Sequence, residues 1–395
     1  MPRRQRIALV AHAVASHDPR IRRQSDALRT AGYEVDVFGL RGPGEAHEDA
    51  RNGVRSIRLP VDRWFSGFAG HMVEYLTFTS MAAVRLAREH RRRPYGLIQI
   101  ATVPDFLVFS AIPERMAGVP VLLDLHEDMP AFFSDRFTSP LLMPLIPAVE
   151  VTARAAAATA TELITVHEPL RELSLRRGVD PGRITVVMNS ADPRLFDPDR
   201  HPRREYMADG TLRLVHHSNF QRIYGLDLLV HAVARLKDLP VQLTAYGDGP
   251  WRPAVEAAVR ETGVGSRVTL AGRVPIDDLP ALLAEADVGV VPTRPEPYMR
   301  YSLSTKLLEY AALGMPVIAS DLPTFRHHFT ADALRYVPAG DVEALAGAIA
   351  EDARDPTAAI RRGQEARRQA AAYAWDRQAA TYLEVVARLI GSRGR

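Results

Sequence analysis

DVGVVPTRPEPYMRYSLSTKLLEYAALGMPVIAS, residues 287–320, decides the fold. It reads as a buried β-branched strand over 287–292, a polar loop, a short helix over 305–313 and a second buried strand over 316–320. Strand, helix and strand in so short a span imply a parallel sheet with a helical crossover. In an open parallel sheet, ligands bind beyond the carboxyl ends of the strands, where the next helix begins. The first turn of that helix offers free N–H groups and a positive dipole end to a phosphate. Lys306 falls in this turn, after Ser304 and Thr305, and Glu309 follows one turn along. A cation beside phosphate and a carboxylate beside ribose hydroxyls would hold a nucleoside diphosphate.

Composition sharpens the reading of Lys306. The chain of 395 residues has 50 Lys plus Arg, yet only two of them, Lys237 and Lys306, are lysines. A compact ammonium kept where arginine is the default suits a phosphate cluster that a planar guanidinium fits less well. The length suits two domains rather than one core. A formal net charge of +3 gives no reason to expect nucleic acid as a partner. With no cysteine, disulfides and thiolate metal sites are excluded. The apolar start breaks at 16–20 and reads as a first strand rather than a signal peptide. No run is expected to reach the roughly 20 apolar residues that span a bilayer, so a cytoplasmic enzyme is the expectation.

Outward from the opening stretch, short apolar runs alternate with helical patterns. Strands are expected at 7–13, 34–39, 54–59, 97–101, 119–125, 163–166 and 184–188, then at 212–217, 241–246, 268–271, 288–292, 317–319 and 335–337. Helices are expected at 20–31, 72–90, 106–117 and 141–161, then at 226–237, 251–262, 279–285, 305–313 and 342–352, with a last one at 375–390. Such alternation means βαβ units. The aperiodic stretch 189–210, rich in Pro, Asp and Arg, marks a linker. The expected domains are 1–190, joined by a C-terminal helix over 374–395 that crosses back, and 191–373.

At this point the chain resembles the nucleotide-sugar-dependent glycosyltransferases of family 4. The marks stand in the family's order: SHDPRIRRQSDALRTAGYEV, ATVPDFLVFSAIPERMAGVPVLLDLHEDMP, ITVVMNSADPRLFDP, the GDGP at 247–250, VTLAGRVPIDDLPALLAEADVGVVPTRPE and KLLEYAALGMPVIASD. The resemblance implies the α/β GT-B fold, two doubly wound Rossmann-like domains facing a central cleft. The N-terminal domain would take the acceptor and the C-terminal domain the donor. The family implies transfer of a sugar with retention of configuration from a UDP-, GDP- or dTDP-linked donor. It implies no separate cofactor and no metal.

The same resemblance assigns roles to residues. His126, ending the strand before DLHED, would lie beside the reacting sugar and acceptor, where an imidazole can bond a hydroxyl or share its proton. Asp105, Glu127, His17 and Asp18 would line the acceptor side, Asp18 also being a natural helix cap before Pro19. Gly247 and Gly249 would let the nucleotide lie against main chain, and Arg273 with Val274 would seat the base. Two departures from the family stand out. The usual Arg and Lys that clamp the diphosphate fall on Asn219 and Tyr224, so Arg222 and Lys306 would replace them. Of the usual two glutamates, Glu309 survives and the other falls on Tyr301. KLLEY fits a subset with Lys three residues before the Glu.

The stretch 63–93 carries Trp64, Phe65 and Phe68 and ends in REHRRR. An aromatic and basic helix of this kind can lie on an anionic membrane, so peripheral membrane contact is a further expectation. The expected activity is transfer of a glycosyl group to a natural product, glycan or lipid-linked acceptor. The alternatives are a non-catalytic nucleotide-sugar binder, or an epimerase or phosphorylase on the same fold.

Overall fold

The computed structural model describes residues 5–15, 18–61, 67–137 and 139–391. The chain forms two compact units, Met1–Asn189 with Asp376–Arg395, and Ser190–Trp375.

The first unit holds β1 (Arg6–Ala11), β2 (Glu34–Leu40), β3 (Glu48–Arg51), β4 (Val54–Leu59), β5 (Leu97–Ala101), β6 (Val121–Leu125), β7 (Glu162–Thr165) and β8 (Ile184–Val186). They make one sheet in the order β3-β4-β2-β1-β5-β6-β7-β8. All neighbours run parallel except β3 on β4. Its helices are α1 (Pro19–Thr30), α2 (Gly67–Arg92), α3 (Ile112–Met116), α4 (Met129–Arg136), α5 (Ile146–Thr159) and α6 (Glu168–Arg176). Strands covered on both faces read as unbroken apolar runs, as ALV in β1 and VLL in β6 do here. Ile7, Leu9, Ile98, Ile100, Leu122 and Leu123 are all buried.

The second unit holds β9 (Leu212–Asn219), β10 (Val241–Asp248), β11 (Val268–Gly272), β12 (Val288–Val291), β13 (Val317–Ser320) and β14 (Arg335–Val337). The order is β11-β10-β9-β12-β13-β14, all parallel. The chain winds outward one way from β9 through β10 and β11, then returns to β9's other side with β12. The crevice between the ends of β9 and β12 is therefore the switch point at which doubly wound sheets take ligands. The helices are α7 (Leu226–Arg235), α8 (Arg252–Thr262), α9 (Leu279–Ala284), α10 (Thr305–Ala312), α11 (Pro323–His328), α12 (Val342–Arg354) and α13 (Pro356–Ala370).

The last helix, α14 (Trp375–Gly391), packs on the first unit. Tyr382, Val385, Val386 and Leu389 are buried there. Arg388 pairs with Glu162 at 2.6 Å, and the Met188 N–H donates to Gln378 Oε1 at 2.8 Å.

Three sequence expectations need correction. The stretch 190–210 is not a free linker. Arg203 donates to the carbonyls of Gly314 and Asp287, and Tyr206 and Met207 pack on the second core. Its polar composition hid a strap made by side chain to main chain bonds. One helical stretch, Pro140–Thr159, does reach the length and apolarity of a bilayer span. Glu150 and Arg154 interrupt it, and its alanines raise the mean hydropathy without forming an obvious apolar block. Most of it is uncovered, with Leu141 87% exposed and Val151 66%. Finally, Phe68 turns inward, edge-on to Phe133 at 5.7 Å and Phe137 at 5.2 Å. It therefore packs α2 on α4 rather than facing solvent, while Trp64 and Phe65 lie outside the described residues.

Candidate active site

In the second unit Lys306 meets Tyr224, and Glu309 meets His217, beside the end of β9. Lys306 is 6% exposed, in the first turn of α10. Its Nζ lies 3.9 Å from the Tyr224 ring centroid. Tyr224 therefore contributes a cation–π contact where the resemblance led one to look for a second lysine. Among the described residues no carboxylate lies within ion-pair distance of Lys306. Burial pulls its pKa from 10.5 down to about 8, while Glu309 nearby opposes the shift. Ser304, which caps α10, has a buried Oγ with no hydrogen-bond partner among the described residues. Thr305 faces solvent. The first turn thus presents a hydroxyl, free N–H groups and an ammonium that the protein does not neutralise.

Glu309 is half-buried and accepts a hydrogen bond at 2.6 Å from His217 Nε2, at the end of β9. His216, the neighbour on the opposite face, is fully buried and bonds the Val290 carbonyl and Ser218 Oγ. Burial and the Lys306 charge push its pKa down to about 3, so it stays neutral.

Arg222 sits in a turn at the same sheet edge but pairs with Glu296. Arg294 braces it by donating to the Arg222 carbonyl at 3.0 Å. Arg222 therefore has a counter-charge in contact, and among the described residues Lys306 has none. Asn219 ends β9, exposed. Tyr301 closes the turn before α10. Arg273 and Val274 follow β11.

Gly247 and Gly249 serve the protein's own packing. A Cβ on Gly247, whose φ is +126°, would lie 1.8 Å from the Ser218 carbonyl oxygen. One on Gly249 would lie 2.4 Å from Asn219 Oδ1. These glycines let the end of β10 close on the end of β9, which brings Asn219 and the GDGP turn together.

In the first unit His126 follows β6 and is buried. Its Nε2 lies 3.1 Å from Asp124 Oδ2. The same Oδ2 accepts from Gln24 Nε2 at 2.8 Å and Gln99 Nε2 at 3.1 Å. Gln99 Oε1 accepts from Tyr382 Oη of α14 at 2.6 Å. Burial opposes the Asp124 charge, but His126 and these donors outweigh it and lower its pKa. The His126 Nδ1 is buried with no hydrogen-bond partner among the described residues. Sequence reading found His126 but missed Asp124, Gln24, Gln99 and Tyr382. The order D-x-H at a strand end was the one available signal.

Asp18 is the N-cap of α1 and accepts from the Arg20 and Ile21 N–H groups, with Pro19 in the first turn. Burial raises its pKa, but the Arg20 hydrogen bond and charge outweigh that and hold it at about 2. His17 lies outside the described residues. Asp105 and Glu127 line one cavity of about 120 Å³ with Arg177 and Ser174. Asp105 is 4% exposed, and burial beside Asp128 lifts its pKa to about 7. Asp128 does not cap α4 with its side chain; it pairs with Arg177 at 2.7 Å. No cluster able to hold a metal occurs among the described residues.

Two doubly wound sheets in one chain, with a phosphate-ready switch point in the second, define the GT-B class. Solved structures agree on the fold. Sucrose-phosphate synthase from Thermosynechococcus elongatus superposes with a TM-score of 0.81 at 24% identity, over 98% of this chain and all of that one. The Anabaena protein HepE, in complex with UDP-glucose, gives 0.68 at 15% identity over 97% and 99%. Residues 17–190 match the glycosyl transferase 4-like domain, and residues 211–355 match glycosyl transferases group 1. The 2-deoxystreptamine glucosyltransferase of Streptomyces kanamyceticus is 28% identical over 76% of this chain and 79% of its own. The MMP alpha-(1->4)-mannosyltransferase of Mycolicibacterium hassiacum is 26% identical over 94% and 87%. The chain belongs to the glycosyltransferases built from these two domains.

Proposed function

We propose that the protein transfers a sugar, with retention of configuration, from a nucleotide-diphosphate donor to a hydroxyl or amine of a small polar acceptor. The observation that carries the reading is Lys306. A buried ammonium without a counter-ion costs several kcal/mol, and the cost is offset once a diphosphate occupies the start of α10. Glu309, three residues on, would bind the ribose. Arg222 would join the phosphate by exchanging Glu296 for it. As the donor breaks, charge builds on the leaving diphosphate, where Lys306 and the α10 N–H groups stabilise it. The departing oxygen takes the acceptor proton on the face it leaves, which retains configuration. His126, fixed by Asp124, holds the acceptor or sugar hydroxyl through Nδ1. The K-x-x-E pair of Lys306 and Glu309 stands in place of the usual two-glutamate motif, whose first glutamate is missing at Tyr301.

A relative named for 2-deoxystreptamine favours an aminocyclitol or similar polyol as acceptor. The test is a thermal-shift panel of UDP-, GDP- and dTDP-sugars, since a ligand bound only by the folded state raises its stability. A stabilising donor is then incubated with aminocyclitols and the anomer of the product read by NMR. Stabilisation by one nucleotide family and an axial or equatorial product matching the donor support the proposal. Indifference to every nucleotide sugar, or an inverted product, contradicts it.

Use of a nucleotide-sugar donor favours a reaction in the cytoplasm. Peripheral membrane contact there is favoured by the uncovered Leu141, Leu145 and Val151, with exposed Arg154 on the same helical stretch. Flotation with anionic vesicles at low salt tests it; protein left wholly at the bottom of the gradient removes it.

A further inference from the structure

We propose that His217 is a positioning residue for the donor: it holds one oxygen of Glu309 and thereby turns the other toward the ribose. The inference rests on Glu309 being the ribose-binding carboxylate. His217 and Glu309 come from different elements, the end of β9 and the second turn of α10, 92 residues apart.

The geometry fixes the imidazole from both sides. The His217 main-chain N–H donates to Tyr310 Oη at 3.2 Å, and the same Oη lies 3.0 Å from His217 Nδ1. An ionised Glu309 can only accept, so the proton of a neutral imidazole sits on Nε2, which donates to Glu309 Oε2 at 2.6 Å. Nδ1 is then the acceptor, and Tyr310 Oη donates to it. Burial raises the Tyr310 phenol far above its ordinary range, which keeps that proton in place.

Tyr310 is itself immobilised. It is fully buried, and its ring lies over Gly289 of β12, where a Cβ would come within 2.5 Å of it. The line from Gly289 through Tyr310 and His217 to Glu309 is therefore a rigid support across the switch point. It ends on a carboxylate whose other oxygen, Oε1, has no hydrogen bond among the described residues. A glutamate has three side-chain torsions, and a ligand that met it unheld would have to order them. The support removes that cost before the donor arrives.

The experiment is calorimetric titration of UDP, 2′-deoxy-UDP and 3′-deoxy-UDP, or the guanine series if wild type prefers GDP. It uses wild type, Glu309→Ala, His217→Val, His217→Gln and Tyr310→Phe, each checked by circular dichroism. His217→Val should weaken the ribonucleotide roughly tenfold, about the worth of one charge-assisted hydrogen bond. The loss should vanish on whichever deoxy analogue lacks the hydroxyl that Glu309 holds. His217→Gln, whose amide N–H can replace Nε2–H, should recover most of the affinity. Tyr310→Phe, which keeps the ring and frees Nδ1, should fall between. A merely structural role would weaken all three nucleotides alike, and that result overturns the proposal. So does a His217→Val variant that binds as wild type does while wild type still separates ribo- from deoxynucleotide. If wild type does not separate them, or Glu309→Ala binds normally, the reading of Glu309 fails and the inference falls with it.

Discussion

Asp124 and Lys306 are both buried ionisable groups near a strand end, and their surroundings differ. Asp124 receives His126, Gln24 and Gln99, and through Gln99 it reaches Tyr382 on the last helix. Lys306 has an aromatic ring and a helix start whose Ser304 hydroxyl makes no capping bond, with no carboxylate in contact among the described residues. The first arrangement gives the Asp124 charge three partners and sets it facing the imidazole. The second is incomplete and stores an unmet positive charge. A site that must orient a proton-bearing group benefits from being finished before substrate arrives. A site that must grip a phosphate benefits from a charge whose partner is the ligand.

That contrast can be broken most forcefully at Lys306. Lys306→Met should weaken donor binding by about a hundredfold or more, as loss of a charge-assisted contact to phosphate in a dry site does. The same change should raise thermal stability near pH 7. A lysine held at about 8 instead of 10.5 costs the fold roughly 3 kcal/mol at about 1.4 kcal/mol per pK unit. A melting curve beside the donor titration reads both effects; a variant that loses stability contradicts the claim of an unmet charge.

At the other region, His126→Ala should lower kcat roughly a hundredfold with donor affinity unchanged, within the range of acid–base contributions. Asp124→Asn, which keeps shape but removes the charge facing Nε2, should lower it less. Steady-state rates together with donor binding separate the two. A fall in donor affinity equal to the fall in kcat would merge the regions that the comparison keeps apart.

Smaller still is Tyr382→Phe. It removes one buried hydroxyl and frees the Gln99 amide, for an expected loss of roughly threefold to tenfold in kcat and about 1 kcal/mol of stability. Unchanged kcat would show that α14 packs on the first unit without steadying His126.

The pH dependence of stability offers a fourth check. The folded pKa of Lys306 is depressed, so between about 8 and 10.5 the unfolded chain holds more protons than the folded one at this site. Its contribution to stability therefore rises with pH across that window, and the penalty is fully present below it. Subtracting the Lys306→Met curve from wild type isolates the slope, and a slope of opposite sign is incompatible with the burial described.

Much of the fold was legible because parallel strands buried on both faces are continuous apolar runs. The strands missed or mis-bounded are those without that signature. β3, Glu48–Arg51, has no buried side chain and pairs only at the edge. The short helices α4 and α6 were not expected. Lys306 and Glu309 were legible because their spacing lies within one helix. His217 was not, because its partner is reached only through the pairing of β9 with β12 and the return of α10. Tyr382 was further out of reach, 283 residues from Gln99. Local pattern thus found the residues proposed to touch the ligand, while those that would steady them depend on tertiary contact.

Proton uptake on donor binding tests the account most directly. Titration of the preferred nucleoside diphosphate at pH 8, in two buffers of different ionisation enthalpy, measures it. At that pH Lys306 is part-deprotonated when free and would be fully protonated against phosphate. The account predicts net uptake of a fraction of a proton in wild type and none in Lys306→Met. Binding without uptake in wild type, or uptake that persists in the variant, would contradict it.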